Sequence, residues 1–235
     1  MQSFDEIYAR AAERKGGEAA LEAQIGEWRS KPRGEIAATP DDRWLAEMSR
    51  HVFQAGFNWR VIANKWEGFE AAFHGFDPPL NAAMSEDEFD ARLKDTRIIR
   101  NAQKIASVRA NAHFLVDLAR EHGSAARFFA DWPDSDFIGL LELTKQRASR
   151  LGGETAMRFF RTMGKPAFIT TRDVSAALVE AGVVEKPPTS RKDFSAVQTA
   201  FNAWSAASGR DLTALSRILA MSAGPIHEPG QMGPR

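Results

Sequence analysis

Cysteine is missing from all 235 residues, and with it every chemistry that needs a thiol: nucleophilic cysteine, Cys-ligated zinc, iron–sulfur clusters and disulfide frameworks. Strand signals are scarce as well. The one β-branched stretch is Ile169-Thr170-Thr171, too short for an ordinary strand. No 18 apolar residues run together, and the first residues, charged from Asp5 onward, contain no apolar signal segment. The expectation is a cytoplasmic protein with no membrane partner. Net charge is also absent, because 31 Lys and Arg balance 31 Asp and Glu; that removes bulk attraction for polyanions and leaves only local patches. The five histidines (His51, His74, His113, His122, His227) show no metal-ligand spacing, and neither a phosphate-binding G-x-x-x-x-G-K-[ST] loop nor a G-x-S-x-G elbow occurs. No metal and no cofactor is implied.

What is present has the period of helices. Trp59, Ile62, Trp66, Phe69 and Phe73 recur at +3, +4, +3, +4, predicting one helix from Asn58 to the breakers at Gly75 and Pro78. Ser85 and Glu88 form a capping-box pattern ahead of Phe89 and Leu93. Ile105, Val108, Ala112, Leu115 and Ala119 mark a helix stopped near Gly123, and Val174, Leu178 and Ala181 one closed by Gly182. Phe194, Val197, Phe201 and Trp204 follow a Thr189–Ser190 start, and Leu212, Leu215, Ile218 and Leu219 mark the last. The fold class is all-α. Hinges with proline fall near Pro32 and Pro187–Pro188, and the stretch from Gly224 to Arg235 lacks apolar content. These signals divide the chain into an N-terminal helical extension (1–40), one large helical domain (41–222) and a mobile tail (223–235).

Local charge departs from the neutral whole. Arg92 to Arg109 holds six basic residues against Asp95, and Lys145 to Arg172 holds seven against Glu154. Such runs read either as solvated helix faces or as phosphate-binding surface. Within the second lies Arg150-Leu-Gly-Gly-Glu-Thr-Ala156. Paired glycines opening a helix leave backbone N–H groups accessible to an anion such as DNA phosphate, although a helix–Gly-Gly–helix turn also serves as a plain connection.

Leu151 to Ala156, followed 18 residues after Thr155 by Asp173 within Phe168-Ile-Thr-Thr-Arg-Asp-Val174, resembles the helix-hairpin-helix and acidic-residue signature of the DNA glycosylase superfamily. Upstream, Gln54-Ala-Gly-Phe-Asn-Trp59, Phe73-His-Gly-Phe-Asp-Pro78, and Arg97-Ile-Ile-Arg-Asn101 with Lys104-Ile105 are similar to the DNA-3-methyladenine glycosylase I family. The resemblance covers about Asp41 to Val184. It implies a helix-hairpin-helix glycosylase fold and a monomer that hydrolyses the N-glycosidic bond of 3-methyladenine in damaged double-stranded DNA during base-excision repair. Three features depart from the family. Its terminal Cys/His zinc site cannot be built without cysteine, its pocket glutamate falls on His51, and its usual hairpin is one residue longer.

By this resemblance Asp173 is the catalytic carboxylate, able to stabilise an oxocarbenium-like sugar. Thr171 as N-cap with Asp173 in the first turn is equally a plain helix start. His51, Trp59 and Tyr8 would line the base pocket, with Trp59 alternatively opening the Trp59–Phe73 core stripe. Gln54 and Phe57 would form the wedge that fills the gap left by a flipped base. Gly152, Gly153, Thr155, Arg161, Lys165 and Arg172 would hold DNA phosphates. Glu154 stands where strand-nicking glycosylases carry a Schiff-base lysine, which implies simple hydrolysis. The rival readings are a DNA-binding protein that has lost catalysis and a glycosylase for another damaged base.

Overall fold

The computed structural model describes residues 1–26 and 29–223. Along the chain the helices are α1 (Phe4–Lys15), α2 (Glu18–Gly26), α3 (Arg33–Ala37), α4 (Asp41–Gln54), α5 (Trp59–Asn64), α6 (Trp66–Ala72), α7 (Pro78–Ala82) and α8 (Glu86–Lys94). They continue with α9 (Ala102–His122), α10 (Ala125–Asp131), α11 (Phe137–Arg147), α12 (Glu154–Met163), α13 (Arg172–Glu180), α14 (Arg191–Ser208) and α15 (Leu212–Ser222). No strand occurs among the described residues, as the helical period predicts. The tail expected to be mobile lies, from Gly224 on, outside the described residues, and so does His227.

The chain forms two compact units, Met1–Ser30 with Pro166–Arg235, and Lys31–Lys165. The first thirty residues are therefore part of a larger unit: α1 packs on α15 and α2, Trp204 Nε1 donates to the Gln2 carbonyl at 3.2 Å, and Arg10 Nε donates to the Ser222 carbonyl at 3.3 Å. Phe168 and Phe201 stack at 4.5 Å in this unit's core. Its non-helical segment around Ile169 forms no strand. The Ala167 and Ile169 amides donate instead to Thr213 Oγ1 (3.0 Å) and Ser216 Oγ (3.1 Å) on α15, so buried backbone donors are satisfied without a sheet.

In the unit Lys31–Lys165, α4 packs on α9 and α12, while α9 also packs on α7 and α10. Trp44, fully buried, meets Phe129 at 4.6 Å and Phe159 at 5.7 Å, and Phe53 meets Phe69 at 4.6 Å. The helix ends follow the sequence. Ser85 and Glu88 make the reciprocal capping box, Ser190 makes a second with Asp193, and Gly123 ends α9 at φ 83°.

The helix expected from Asn58 to Gly75 is broken. Asn58 does cap its start, accepting from the Arg60 amide at 2.9 Å, but Lys65 (φ −101°, ψ 2°) separates α5 from α6. Ile62, Phe69 and Phe73 are buried, whereas Trp59 is 44% exposed. Trp59 therefore does not open a core stripe.

Candidate functional site

The block Gln54-Ala-Gly-Phe57 is a tight turn at the end of α4. The Phe57 amide donates to the Gln54 carbonyl at 2.9 Å, Ala55 has φ −59° and ψ 114°, and Gly56 has φ 75°. These are type II values, and the third residue of such a turn needs positive φ, which glycine adopts without steric cost. The turn brings Phe57 and Trp59 to the surface, 45% and 44% exposed, with Val61 exposed beyond them and the Arg60 guanidinium 5.5 Å from the Trp59 ring.

The second element is the connection between α11 and α12. Leu151 is buried and anchors it, Gly152 and Gly153 are exposed, and Gly153 adopts φ 55° and ψ −134°, a combination essentially reserved for glycine. No side chain caps α12, so the amides of its first turn, at Glu154 and Thr155, face outward with the positive end of the helix dipole. Glu154 pairs with Arg158 one turn on.

A residue that the motifs do not single out holds this connection in place. Asn111, fully buried on α9, accepts from the Ser149 amide at 2.6 Å and donates to the Ser149 carbonyl at 3.2 Å. Gln103, also on α9, accepts from Arg150 Nη1 at 2.9 Å. The signal was legible: Lys104 and Asn111 fall in phase with Val108 and Leu115, as polar residues on an apolar stripe.

His51 sits one turn before the Gln54–Phe57 turn and faces α12. Its Nε2 lies 3.0 Å from Thr162 Oγ1, and Thr162 commits its hydroxyl proton to the Arg158 carbonyl at 3.0 Å. The hydroxyl therefore accepts from the ring, and Nδ1 is the acceptor nitrogen of a neutral imidazole. Burial, reinforced by Arg158 and Arg50, lowers the His51 pKa to about 4.

Lys165 departs from its expected role. Rather than meeting DNA, it is buried, with Nζ donating to the Trp132 carbonyl at 2.5 Å and pairing with Asp134 at 2.7 Å; the pair locks an internal turn. Local charge counts misled in the same way elsewhere. Arg97 pairs with Asp95, Arg109 with Glu86, and Arg147 with Glu121. The partners Glu86 and Glu121 lie outside the counted runs. Arg161 is half-buried in the last turn of α12.

Three expected residues belong to the other unit. Thr171 caps α13, accepting from the Val174 amide at 3.3 Å, with Arg172 exposed and Asp173 half-buried in the first turn. Tyr8, on α1, donates to Glu22 Oε1 at 2.7 Å, and Glu22 is in turn held by Arg210. Burial, then that bond, raises the Tyr8 pKa above the usual phenol value.

Among the described residues, no group of acidic or histidine side chains could hold a metal ion, and no helix is long and apolar enough to cross a membrane.

A family model described as methyladenine glycosylase matches residues 36–165, more than half of the chain and inside the unit Lys31–Lys165. The chain is 41% identical over 59 residues to the DNA-3-methyladenine glycosylase 1 of Escherichia coli K12, and 36% identical over 59 residues to the DNA-3-methyladenine glycosylase of Haemophilus influenzae. In each case the match spans 25% of this chain and 32% of the relative. Among solved structures, the 8-oxoguanine DNA glycosylase of Methanocaldococcus jannaschii covers 90% of this chain and 90% of its own, with a TM-score of 0.51 at 16% identity. That likeness establishes the helix-hairpin-helix glycosylase fold.

Proposed function

We infer that this chain, which belongs to the methyladenine glycosylase family, is a monofunctional DNA glycosylase that flips alkylated purines out of duplex DNA and hydrolyses their N-glycosidic bond, with 3-methyladenine as the main substrate. The observation that carries the reading is the pair of elements in one unit: a type II turn presenting exposed Phe57 and Trp59, and an uncapped helix start at Gly153. The first suits a wedge and a stacking face, the second a phosphate.

Flipping a nucleotide costs a few kcal/mol in lost stacking and pairing. Phe57 would offset part of this by filling the vacated space, supported by Gln54, while the amides around Gly152, Gly153 and Thr155 hold the backbone, with Arg161 and Arg172 adding charge. A methylated purine carries positive charge, and stacking it on Trp59 adds a cation–π attraction of about 0.5–2 kcal/mol. Its positive charge also makes it a good leaving group. The developing sugar cation then needs a carboxylate, the role assigned to Asp173. Glu154 offers no amine for a Schiff base, so the product is an intact strand with an abasic site.

The test is incubation with methylated duplex DNA, followed by chromatography of released bases and borohydride trapping. Free 3-methyladenine with no trapped protein–DNA adduct is expected. Tight binding without any released base would instead identify a non-catalytic DNA-binding protein.

His51 favours one second reading. A neutral imidazole accepts a hydrogen bond as a carboxylate does but lacks its charge, which weakens selection for a cationic base and suits a neutral damaged one. A deaminated-purine duplex in the same assay separates the two.

A further inference from the structure

We propose that Lys104 is the positioning residue of the wedge turn, holding Phe57 for insertion into DNA from beneath the contact surface. The proposal rests on the glycosylase reading and extends it to a residue that touches no substrate.

Lys104 is only 4% exposed. Its Nζ donates to the carbonyls of Phe53 at 3.0 Å and Ala55 at 2.6 Å, one on the last turn of α4 and one inside the wedge turn. An ammonium has three donors and no acceptor. The remaining N–H has the face of the Phe57 ring, whose centroid is 4.5 Å from Nζ. One cation thus ties the helix end, the turn and the exposed ring together.

The placement is costly on other grounds. Among the described residues no carboxylate pairs with Lys104, and burial, followed by the nearby Arg150 charge, lowers its pKa below the usual lysine value. It also occupies the first turn of α9, the end of a helix where a cation is disfavoured. A residue chosen for stability alone would not meet all these conditions. The compensation is at α4, whose C-terminal carbonyls attract the same ammonium.

The arrangement also links the two DNA-facing elements. Asn111, which grips Ser149 ahead of the paired glycines, is seven residues further along α9, about 10 Å of helix rise. One rigid helix therefore sets the spacing between wedge and phosphate site, and Lys104 is its attachment to the wedge.

The full-length protein should be tested for binding to a duplex carrying a tetrahydrofuran abasic analogue, to the intact duplex and to the analogue in single strand, which needs no excision. Wild type should prefer the analogue duplex. Lys104→Met should lower that preference at least tenfold and leave single-strand affinity within twofold. In a Phe57→Ala background the same substitution should change duplex binding less than twofold, because the ring it positions is gone. A persistent tenfold loss in that background, or equal losses on duplex and single strand, would make Lys104 a fold-stabilising residue and overturn the proposal. So would wild-type behaviour of Lys104→Met. Should Lys104→Met not fold, Lys104→Arg keeps the cation but replaces the compact ammonium with a planar fork; unchanged duplex preference there would overturn the proposal, and a loss confined to duplex would support it. If wild type itself shows no preference for the analogue duplex, the glycosylase reading falls together with the wedge.

Discussion

At His51 the protonation state decides what the side chain can offer a ligand, and the surroundings set it firmly. Burial between α4 and α12, with Arg158 and Arg50 nearby, lowers its pKa from 6.5 to about 4. The unfolded chain takes up this proton near pH 6.5 and the folded chain only near pH 4, so between them the unfolded state binds more protons. Stability should therefore fall as pH drops through that window, by at most about 3 kcal/mol from this residue. Urea unfolding of wild type and His51→Gln from pH 7 to pH 4 checks this: the variant should show a flatter profile, and parallel profiles would place the sensitivity elsewhere. Asp173 poses the complementary question. Its place in the first turn of α13 is worth about 0.3–1 kcal/mol as a helix-end charge, whereas loss of a transition-state stabiliser costs about 2–4 kcal/mol. Asp173→Asn should accordingly slow single-turnover excision roughly 100-fold or more while DNA affinity holds. A variant that excises at the wild-type rate and merely melts lower would leave Asp173 as a helix-end charge only.

Elements were legible where the signal is local and obscure where it depends on what lies across the core. Ser85, Ser190, Gly123 and Thr171 all act as helix boundaries as the sequence indicates, because a cap is made within a few residues. The +3/+4 pattern from Trp59 to Phe73 could not disclose the break at Lys65, since apolar spacing survives a one-residue kink, and only the break separates exposed Trp59 from buried Phe69. Lys165 carries the same warning, since a buried lysine there looks in sequence like any member of a basic run, with its carbonyl partner, Trp132, 33 residues away; at Lys104 the apolar stripe betrays the burial, but not the carbonyl partners Phe53 and Ala55, 51 and 49 residues away. The hairpin supplies the element-level prediction. Gly153 at φ 55° has nothing within 4 Å of an added Cβ, so the cost of Gly153→Val is chiefly backbone strain, of about 1–3 kcal/mol. The protein should remain folded by circular dichroism, with the α12 amides displaced and duplex affinity reduced several-fold. A folded variant with unchanged affinity would exclude the hairpin as the phosphate site.

For the molecule as a whole, the balance of 31 against 31 charges meets basic stretches in which several members are already paired or buried. In the first run Arg97 and Arg109 are paired with acids and Lys104 is buried; in the second, Arg147, Arg158 and Lys165 are paired. Exposed cations outside these pairs are Lys94, Arg100, Lys145, Arg150 and Arg172. A DNA-binding protein loses affinity with salt at a slope of about −0.9 per phosphate neutralised. Had both runs met the backbone, the slope of log K against log salt would approach about −10 by that rule; with only the five exposed cations available it should be about −4 to −5. On the proposed reading the remaining affinity comes from backbone amides at the hairpin and from apolar filling of the stack, neither of which releases counterions in proportion. Fluorescence titrations of an abasic-analogue duplex across several salt concentrations measure the slope directly. A value near −4 would fit recognition dominated by shape and stacking, whereas one steeper than about −7 would mean that the pairs at Asp95, Glu86, Glu121 and Glu154 open to release their arginines when DNA arrives.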